Sequence, residues 1–393
     1  MTAGDRAGRP KAPLRVGVVG VGALAIRGIV PHLVEPDVAG RVRLAALCDP
    51  VVERAADVAS RHGIPHVFGS LDDLLAAGVV DAVTIASPIG LHFEQARAAL
   101  RAGVHVHVNK TMTTTVAEAD ELIDLARAND LRLVASPGEI LQPQLARTRE
   151  LIAAGAIGRI AWAMCGMAFG SYHEADEPER RGAAGGAIDP SWYFRKPGGG
   201  PMYDMTVYAL HRLTSVLGPA RRVTALSAVR IPERMFSGRL VPTEADDNTI
   251  LLLDFGEGLF AVAYGTAAGT ADEQLAAGTY YGTRGTIDGV LLNGEPFDFP
   301  GREATLVAPV TDWEAQNRAL PHVTGVHRDI DESHVFEDIM QLADSVLDDR
   351  PSSVTAEHAR HVIDIIESGY RAAATGRTQD LTTTFDPSVS APG

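Results

Sequence analysis

Cysteine is nearly absent from this 393-residue chain: Cys48 and Cys165 are the only two, both inside apolar runs. Two cysteines build neither a disulfide framework nor a cysteine-rich metal centre, so both are expected to be reduced core residues. Positive charge is also in deficit, with 35 Lys and Arg against 50 Asp and Glu and a formal net charge of −15. So acidic a chain repels nucleic acid and anionic membrane surfaces, and neither is expected as a partner. No apolar run approaches the roughly 18 residues of a membrane helix, and Met1 to Pro13 holds no hydrophobic signal core. A cytoplasmic protein is expected, with mobile tails over 1–13 and 382–393. Internal repeats and coiled-coil heptads are lacking too.

Against these absences stands one dense motif. Val16 to Ala25 reads VGVVGVGALA, an apolar run that breaks into Gly20, Gly22 and Ala25 and continues into a helical stretch with Ile26, Ile29, Val30 and Leu33. Gly20 permits a tight turn, Gly22 lets the backbone approach a pyrophosphate, and Ala25 lets helix and strand pack closely. The helix start, with Ala23 and Leu24, directs N–H groups and a positive dipole end at phosphates. A second strand-like run ends at Asp49, 24 residues after Ala25, where a ribose-binding carboxylate belongs. Such a carboxylate accepts hydrogen bonds from the ribose and repels a 2′-phosphate, which favours NAD, while Arg54 nearby keeps NADP open. The plainer reading makes Asp49 a cap for a helix starting near Val51, a role the following Pro50 suits.

With 46% hydrophobic and 22% charged residues, the length exceeds one ordinary core, and two domains are expected. From Leu14 to about Val134, short apolar runs alternate with amphipathic stretches, the pattern of a parallel sheet covered on both faces. Strands are expected at Leu14–Val19, Val42–Cys48, Val80–Ala86, Val104–Val108 and Leu131–Ala135, and helices at Val51–His62, Leu71–Ala77, Leu91–Arg101 and Val116–Asn129. After Gln142, a helix around Leu145–Ala153 gives way to β-like runs at Arg159–Phe169, Arg222–Arg230, Thr249–Phe255 and Leu259–Tyr264, with further pieces near Thr279 and Thr286. Helices over His334–Leu347 and Ala356–Ala374 close the chain. The expected fold is α/β: a doubly wound parallel Rossmann sheet over 14–140, then an α+β domain over 141–381 on a large open, mostly antiparallel sheet. A sheet with a free face usually finds a partner, so a homodimer or homotetramer is expected.

Three segments carry candidate chemistry. Ser87 and Pro88, followed by His92, end one predicted strand and would pass beside the pyrophosphate or nicotinamide ribose. Asn109 and Lys110 end another. A lysine at a strand end is ordinarily solvated, but a place in the cofactor crevice favours function. The third segment, Gly198-Gly199-Gly200-Pro201, opens a helix over Met202–Leu217 on which Asp204, Tyr208 and His211 share a face at i, i+4 and i+7. That stripe reads equally as a buried hydrogen-bonded set with a structural role. In the preceding segment, Trp192 would stack on a sugar ring and Arg195 hold its oxygens, or both would serve a subunit contact. His173 lies beside Glu174, Asp176 and Glu177, but no metal-ligand spacing marks them and no metal is expected.

The pieces GVVGVGALA with CDP, VDAVTIASPIGLH, VHVHVNKTMTT, LIAAGAIGRI, GGGPMYDMTVYALHRLTSVLGP and YGTRGTI together resemble the Gfo/Idh/MocA oxidoreductase family over nearly the whole chain. By this resemblance the family's lysine falls on Lys110, its helix aspartate on Asp204 and its acid/base position on Tyr208. The tyrosine places the chain near the branch that resembles glucose-fructose oxidoreductase. Where the family usually has Glu-Lys-Pro, this chain has Asn109-Lys110-Thr111, which removes a charge and frees the local backbone; where many members have a further Asp, it has His211. The implied activity is hydride transfer between NAD, or NADP, and a hydroxyl or keto carbon of a sugar, sugar derivative or cyclitol. In that scheme Lys110 stabilises a tyrosinate at Tyr208 while Asp204 orients substrate or lysine. Two alternatives stay open: redox-neutral recycling of bound NAD for elimination or glycoside cleavage, and a non-catalytic NAD-binding protein.

Overall fold

A computed structural model describes residues 12–168, 170, 189, 191–236, 238–270, 274–309, 312 and 314–387. The first sheet holds β1 (Leu14–Val19), β2 (Val42–Cys48), β3 (His66–Phe68), β4 (Ala82–Ile85), β5 (His105–Val108) and β6 (Leu133–Ala135) in the order β3-β2-β1-β4-β5-β6. Every pair is parallel. β1 and β2 are buried at every residue but the second, as strands covered on both faces must be. Strand order reverses between β1 and β4, and a crevice opens beyond their carboxyl ends. β3 is a three-residue strand that the apolar pattern does not announce.

Local chemistry sets the helix boundaries. Thr115 caps the helix Val116–Ala128: its hydroxyl accepts the Glu118 N–H while the Glu118 carboxylate accepts the Thr115 N–H. The helix Val52–His62 stops on Gly63, whose φ of 67° a side chain would strain. Its neighbour after the glycine turn opens as a π-helical segment, Ala25–Ile29, before turning α over Val30–Leu33.

The second sheet comprises β7 (Ile160–Ala168), β8 (Arg222–Ala228), β11 (Asn248–Gly256), β12 (Leu259–Thr266), β13 (Thr279–Gly282), β14 (Gly285–Asp288), β15 (Leu291–Leu292), β16 (Glu295–Pro296) and β17 (Gln379–Asp380). They run in the order β16-β15-β14-β13-β7-β12-β11-β8-β17, while β9 (Glu233–Phe236) and β10 (Arg239–Pro242) form a separate hairpin. Only β7 and β12 pair in parallel; the other neighbours are antiparallel. On β11, Thr249, Leu251, Leu253 and Phe255 point inward. Leu251 and Leu253 meet the core formed with the helices over Val207–Leu217 and Ala356–Thr375. The opposite face is apolar and uncovered: Leu252 is 50% exposed, Phe260 54% and Leu226 75%.

One helix packs where its position in the chain does not announce, and one expectation needs correction. The helix Ser333–Leu347 belongs by position to the 141–381 domain, yet Val335, Phe336, Ile339 and Met340 pack with Val16, Val18 and Leu44 of the first sheet. An amphipathic pattern reveals an apolar stripe but not which surface covers it. The segment after Leu381 is docked as far as it is described. Asp364 accepts the Thr382 and Thr383 N–H groups at 2.8 and 2.9 Å, and Phe385 stacks on His358 at 4.1 Å. No helix among the described residues is long and apolar enough to cross a membrane.

Candidate functional site

The crevice is a cleft of about 760 Å³, a size typical of small-molecule and cofactor sites. Its far wall is the turn after β1. Gly20 has φ of +92°, and a Cβ there would stand 2.7 Å from the Ser87 backbone nitrogen, so the turn and the loop after β4 touch only because this residue is glycine. A Cβ on Gly22 would meet nothing within 4 Å. Gly22, Ala23 and Leu24 line the cleft, with Asp49 and Arg54 at the same end. Asp49 accepts the Val21 N–H and the Val51 N–H, both at 2.8 Å, with Arg54 3.7 Å away. It therefore ties the glycine turn to the end of β2 while lying on the cleft wall, a place compatible with both the ribose and the capping readings.

Ser87 and Pro88 line the middle of the cleft, but His92 does not. Its ring, 1% exposed, lies behind the wall with one nitrogen 2.8 Å from the Thr111 carbonyl and the other 2.8 Å from the Ser87 carbonyl. A neutral imidazole has one N–H, so His92 donates to one of these carbonyls and packs against the other from behind the cleft. The Asn109-Lys110-Thr111 segment is anchored rather than freed: Asn109 Oδ1 accepts the Lys110 N–H at 2.8 Å, and the Thr111 hydroxyl donates to the Tyr203 carbonyl at 2.6 Å. The hydroxyl of Thr111 thus supplies an anchor where the family usually has a proline.

The near wall begins at the glycine run. A Cβ on Gly199 would lie 2.2 Å from the Arg195 carbonyl oxygen, so only glycine lets this loop fold back on itself. A π-helical turn, Met202–Thr206, then leads into the α-helix Val207–Leu217. Lys110 Nζ reaches across to Asp204 Oδ1 at 2.6 Å and also donates to the Asp204 carbonyl. The same ammonium sits 5.3 Å from the centre of the Tyr208 ring. Lys110, Asp204, Tyr208 and Trp192 all line the cleft.

His211 does not share that wall. A helix rises about 1.5 Å per residue, so three residues beyond Tyr208 it lies roughly 4.5 Å deeper; there it packs at 4.5 Å against the His358 ring, and burial pushes its pKa to about 3. Arg195 is exposed and off the cleft lining. His173, Glu174, Asp176 and Glu177 lie outside the described residues.

The tyrosinate expectation also needs correction. Burial, then the carboxylates of Glu332 and Asp204, push the Tyr208 phenol well above its ordinary value. Lys110, whose charge would oppose that rise, is already paired with Asp204. Tyr208 therefore rests as a neutral phenol, and its oxygen lies 2.9 Å from His334 Nε2.

With the geometry in place, comparison with known proteins decides the family. Residues 14–136 match the family model described as "Oxidoreductase family, NAD-binding Rossmann fold", and residues 145–288 match the "GFO/IDH/MocA C-terminal domain". The chain belongs to the Gfo/Idh/MocA oxidoreductase family. It is 30% identical over 248 residues to an uncharacterized oxidoreductase of Synechocystis, a match spanning 62% of this chain and 63% of that protein. It is 24% identical over 365 residues to a D-xylose 1-dehydrogenase (NADP(+)) of Haloferax volcanii, spanning 93% and 99% of the two chains. The crystal structure of an oxidoreductase domain protein from Kribbella flavida shares the fold, with a TM-score of 0.72 at 19% identity over 94% of this chain and 100% of that one.

In this Gfo/Idh/MocA chain the cleft also includes Arg27, Glu314, Glu332 and His334, which motif reading does not single out. Arg27 pairs with Glu332, the residue just before the helix Ser333–Leu347. Burial pushes Glu332 up, but its interactions with His334 and with the Arg27 guanidinium outweigh it and hold the carboxyl below its usual range. A φ of 59° at Glu332 turns the chain into the cleft. The one local signal was Gly28: a Cβ there would stand 2.5 Å from the Cβ of Glu332, so this helix needs a glycine to admit that segment.

Proposed function

We propose that the chain is a nicotinamide-dependent dehydrogenase, exchanging a hydride between NAD or NADP and a hydroxyl or keto carbon of a sugar, sugar derivative or cyclitol. The observation that carries this reading is the convergence of Lys110, Asp204 and Tyr208 on one end of a cleft whose other end is the glycine turn and Asp49. The open space beside Gly22 and the carboxylate on β2's end fit a dinucleotide, and Gly20, Gly22, Ala23, Leu24, Asp49, Ser87, Pro88, Asn109 and Lys110 would hold it. When bound, nicotinamide supplies the hydride acceptor. The protein's part is to hold the alcohol oxygen between the Lys110 ammonium and the Tyr208 hydroxyl while Asp204 fixes the lysine. Trp192 gives the near wall an aromatic face for a ring substrate. Sugar as substrate class is supported by the full-length likeness to a xylose dehydrogenase. Arg54 beside Asp49, with its Nε buried and unbonded among the described residues, supports use of NADP as well as NAD.

Absorbance at the NADH wavelength, on protein mixed with NAD or NADP and a panel of sugars, aminosugars and inositols, tests this, with mass spectrometry of the products. An absorbance rise with an oxidised product is the expected result. Product without absorbance change would instead identify redox-neutral recycling, and bound NADH with neither signal a binding protein.

The same reading extends to assembly. A homodimer or homotetramer in the cytoplasm is supported by the uncovered apolar sheet face and by the buried, free Cys48 and Cys165. Placing Asp at both Leu226 and Leu252 is expected to convert the oligomer to monomer in light scattering after size exclusion, with far-ultraviolet circular dichroism unchanged. A monomeric parent protein, or an unaltered mass in the variant, removes this face from consideration.

A further inference from the structure

Resting on the dehydrogenase reading, we propose that His334 is the proton-positioning partner of Tyr208, so that the proton of the substrate alcohol leaves through a Tyr208–His334 relay. The two side chains come from different parts of the chain. Tyr208 stands on the helix that follows the glycine run, and His334 opens the helix packed on the first sheet. Tyr208 O and His334 Nε2 are 2.9 Å apart, with the rings edge-on at 72° and their centres 5.5 Å apart. Both line the cleft beside Lys110.

Lys110 is tied to Asp204 by two hydrogen bonds, and its ammonium lies over the tyrosine ring, 5.3 Å from the ring centre. The imidazole is a base within hydrogen-bond reach of the phenol oxygen. Burial holds the His334 pKa below its usual value, and burial holds that of Tyr208 above, so both groups rest neutral. In that state the phenol O–H donates to Nε2 and the ring proton sits on Nδ1. The charged groups that act on His334 are Glu332 and Glu139, which favour the imidazolium, and Lys110 and Arg27, which oppose it. Asp338, one helical turn along, acts on Tyr208.

In the oxidation direction the alcohol O–H bond breaks as its proton passes to the Tyr208 oxygen, and the original Tyr208 proton passes to His334 Nε2. The electron pair of the carbon–hydrogen bond leaves with the hydride that nicotinamide accepts, and a carbonyl remains. Charge then moves to the imidazolium, where the Glu332 carboxylate, 3.8 Å from Nε2, balances it. Arg27 holds Glu332 in place, and Gly28 leaves the room for it. His334 acts through Tyr208; it is a positioning residue, not one that touches substrate.

Long-range 15N–1H correlation spectra of the histidines in the full chain, with and without NAD, read the relay whether or not a substrate is known. His334→Gln assigns the resonance. The expected result is an unprotonated Nε2 with Nδ1–H at neutral pH, and a rise of about half a pH unit or more in the His334 midpoint in Tyr208→Phe, which removes the donor. A protonated Nε2, or a titration unmoved by Tyr208→Phe, overturns the proposal. With any alcohol that the panel shows to turn over, His334→Gln is expected to lower kcat by about 10–100-fold. KM and NAD affinity stay within about twofold, the pH dependence of kcat shifts, and there is no further loss in a Tyr208→Phe background. Losses that simply add would mean that the two residues act independently. A panel with no turnover counts against the dehydrogenase reading alone, because the spectra still decide the pair.

Discussion

Lys110→Met is expected to cost about 10²–10⁴-fold in kcat/KM, the loss typical when a positioned proton-transfer or charge-stabilising group is removed. It is also expected to destabilise the fold, and the two effects separate. The Lys110 and Asp204 side chains are 13% and 3% exposed, so their 2.6 Å contact is an ion pair largely withdrawn from water. Removing the cation breaks that ion pair from one side, a change that costs up to about 3–5 kcal/mol in buried pairs. Adding Asp204→Asn to Lys110→Met removes the other charge of the pair as well, so urea unfolding should return part of that stability while turnover stays lost. Turnover of Lys110→Met within tenfold of the parent would remove lysine from the mechanism. Stability lost equally in the single and double variants would mean that packing of the lysine stem, not charge, is what the site misses.

The contrast between that pair and the rest of the cleft shows what a chain discloses before it folds. Gly20, Gly22, Asp49, Ser87, Asn109 and Lys110 are legible because each stands at the end of an apolar run, and the carboxyl ends of parallel strands converge on one crevice. Asp204 and Tyr208 are legible because a glycine run and a helix start precede them. His211 satisfies the same spacing and lies elsewhere, since periodicity gives the face of a helix but not the depth at which a cleft ends. His92 follows a strand end like its neighbours, yet its ring sits behind the wall between two backbone carbonyls. Arg27, Glu332 and His334 were illegible for a different reason. Glu332 and His334 lie more than 120 residues after Tyr208, and two polar residues at the start of an amphipathic helix look like a solvated cap until the helix is seen packed on the first sheet. The same limit holds for that helix as a whole, since its apolar stripe does not say that it packs on the first sheet.

Acidification is expected to unfold the protein well before its carboxylates titrate fully, because several histidines are buried neutral. Burial pushes His107 and His211 to about 3 and His32 and His361 to about 4, from an ordinary value of 6.5. Their lowered values mean that the unfolded chain binds protons below about pH 6.5 that the folded chain refuses until pH 3–4. The stability these groups confer is complete above 6.5 and falls as pH falls. One proton per group corresponds to 1.36 kcal/mol per pH unit, so four groups approach roughly 5 kcal/mol per unit near pH 5. Against a total of about 5–15 kcal/mol for a folded domain, one to two units of acidification suffice. Asp338 works in the opposite sense: burial raises its carboxyl to about 8, in a chain of hydrogen bonds running Thr84–His107–Ser136–Asp338. The folded chain keeps that proton where the unfolded chain releases it, so stability erodes as pH rises from 4 towards 8. The urea midpoint should therefore peak near pH 6.5, decline gently on the alkaline side and collapse below about 5.5. Asp338→Asn should flatten the alkaline limb and leave the acid limb steep. A midpoint that stays level from pH 7 to 5 would show that these histidines take up protons as freely inside the fold as outside it.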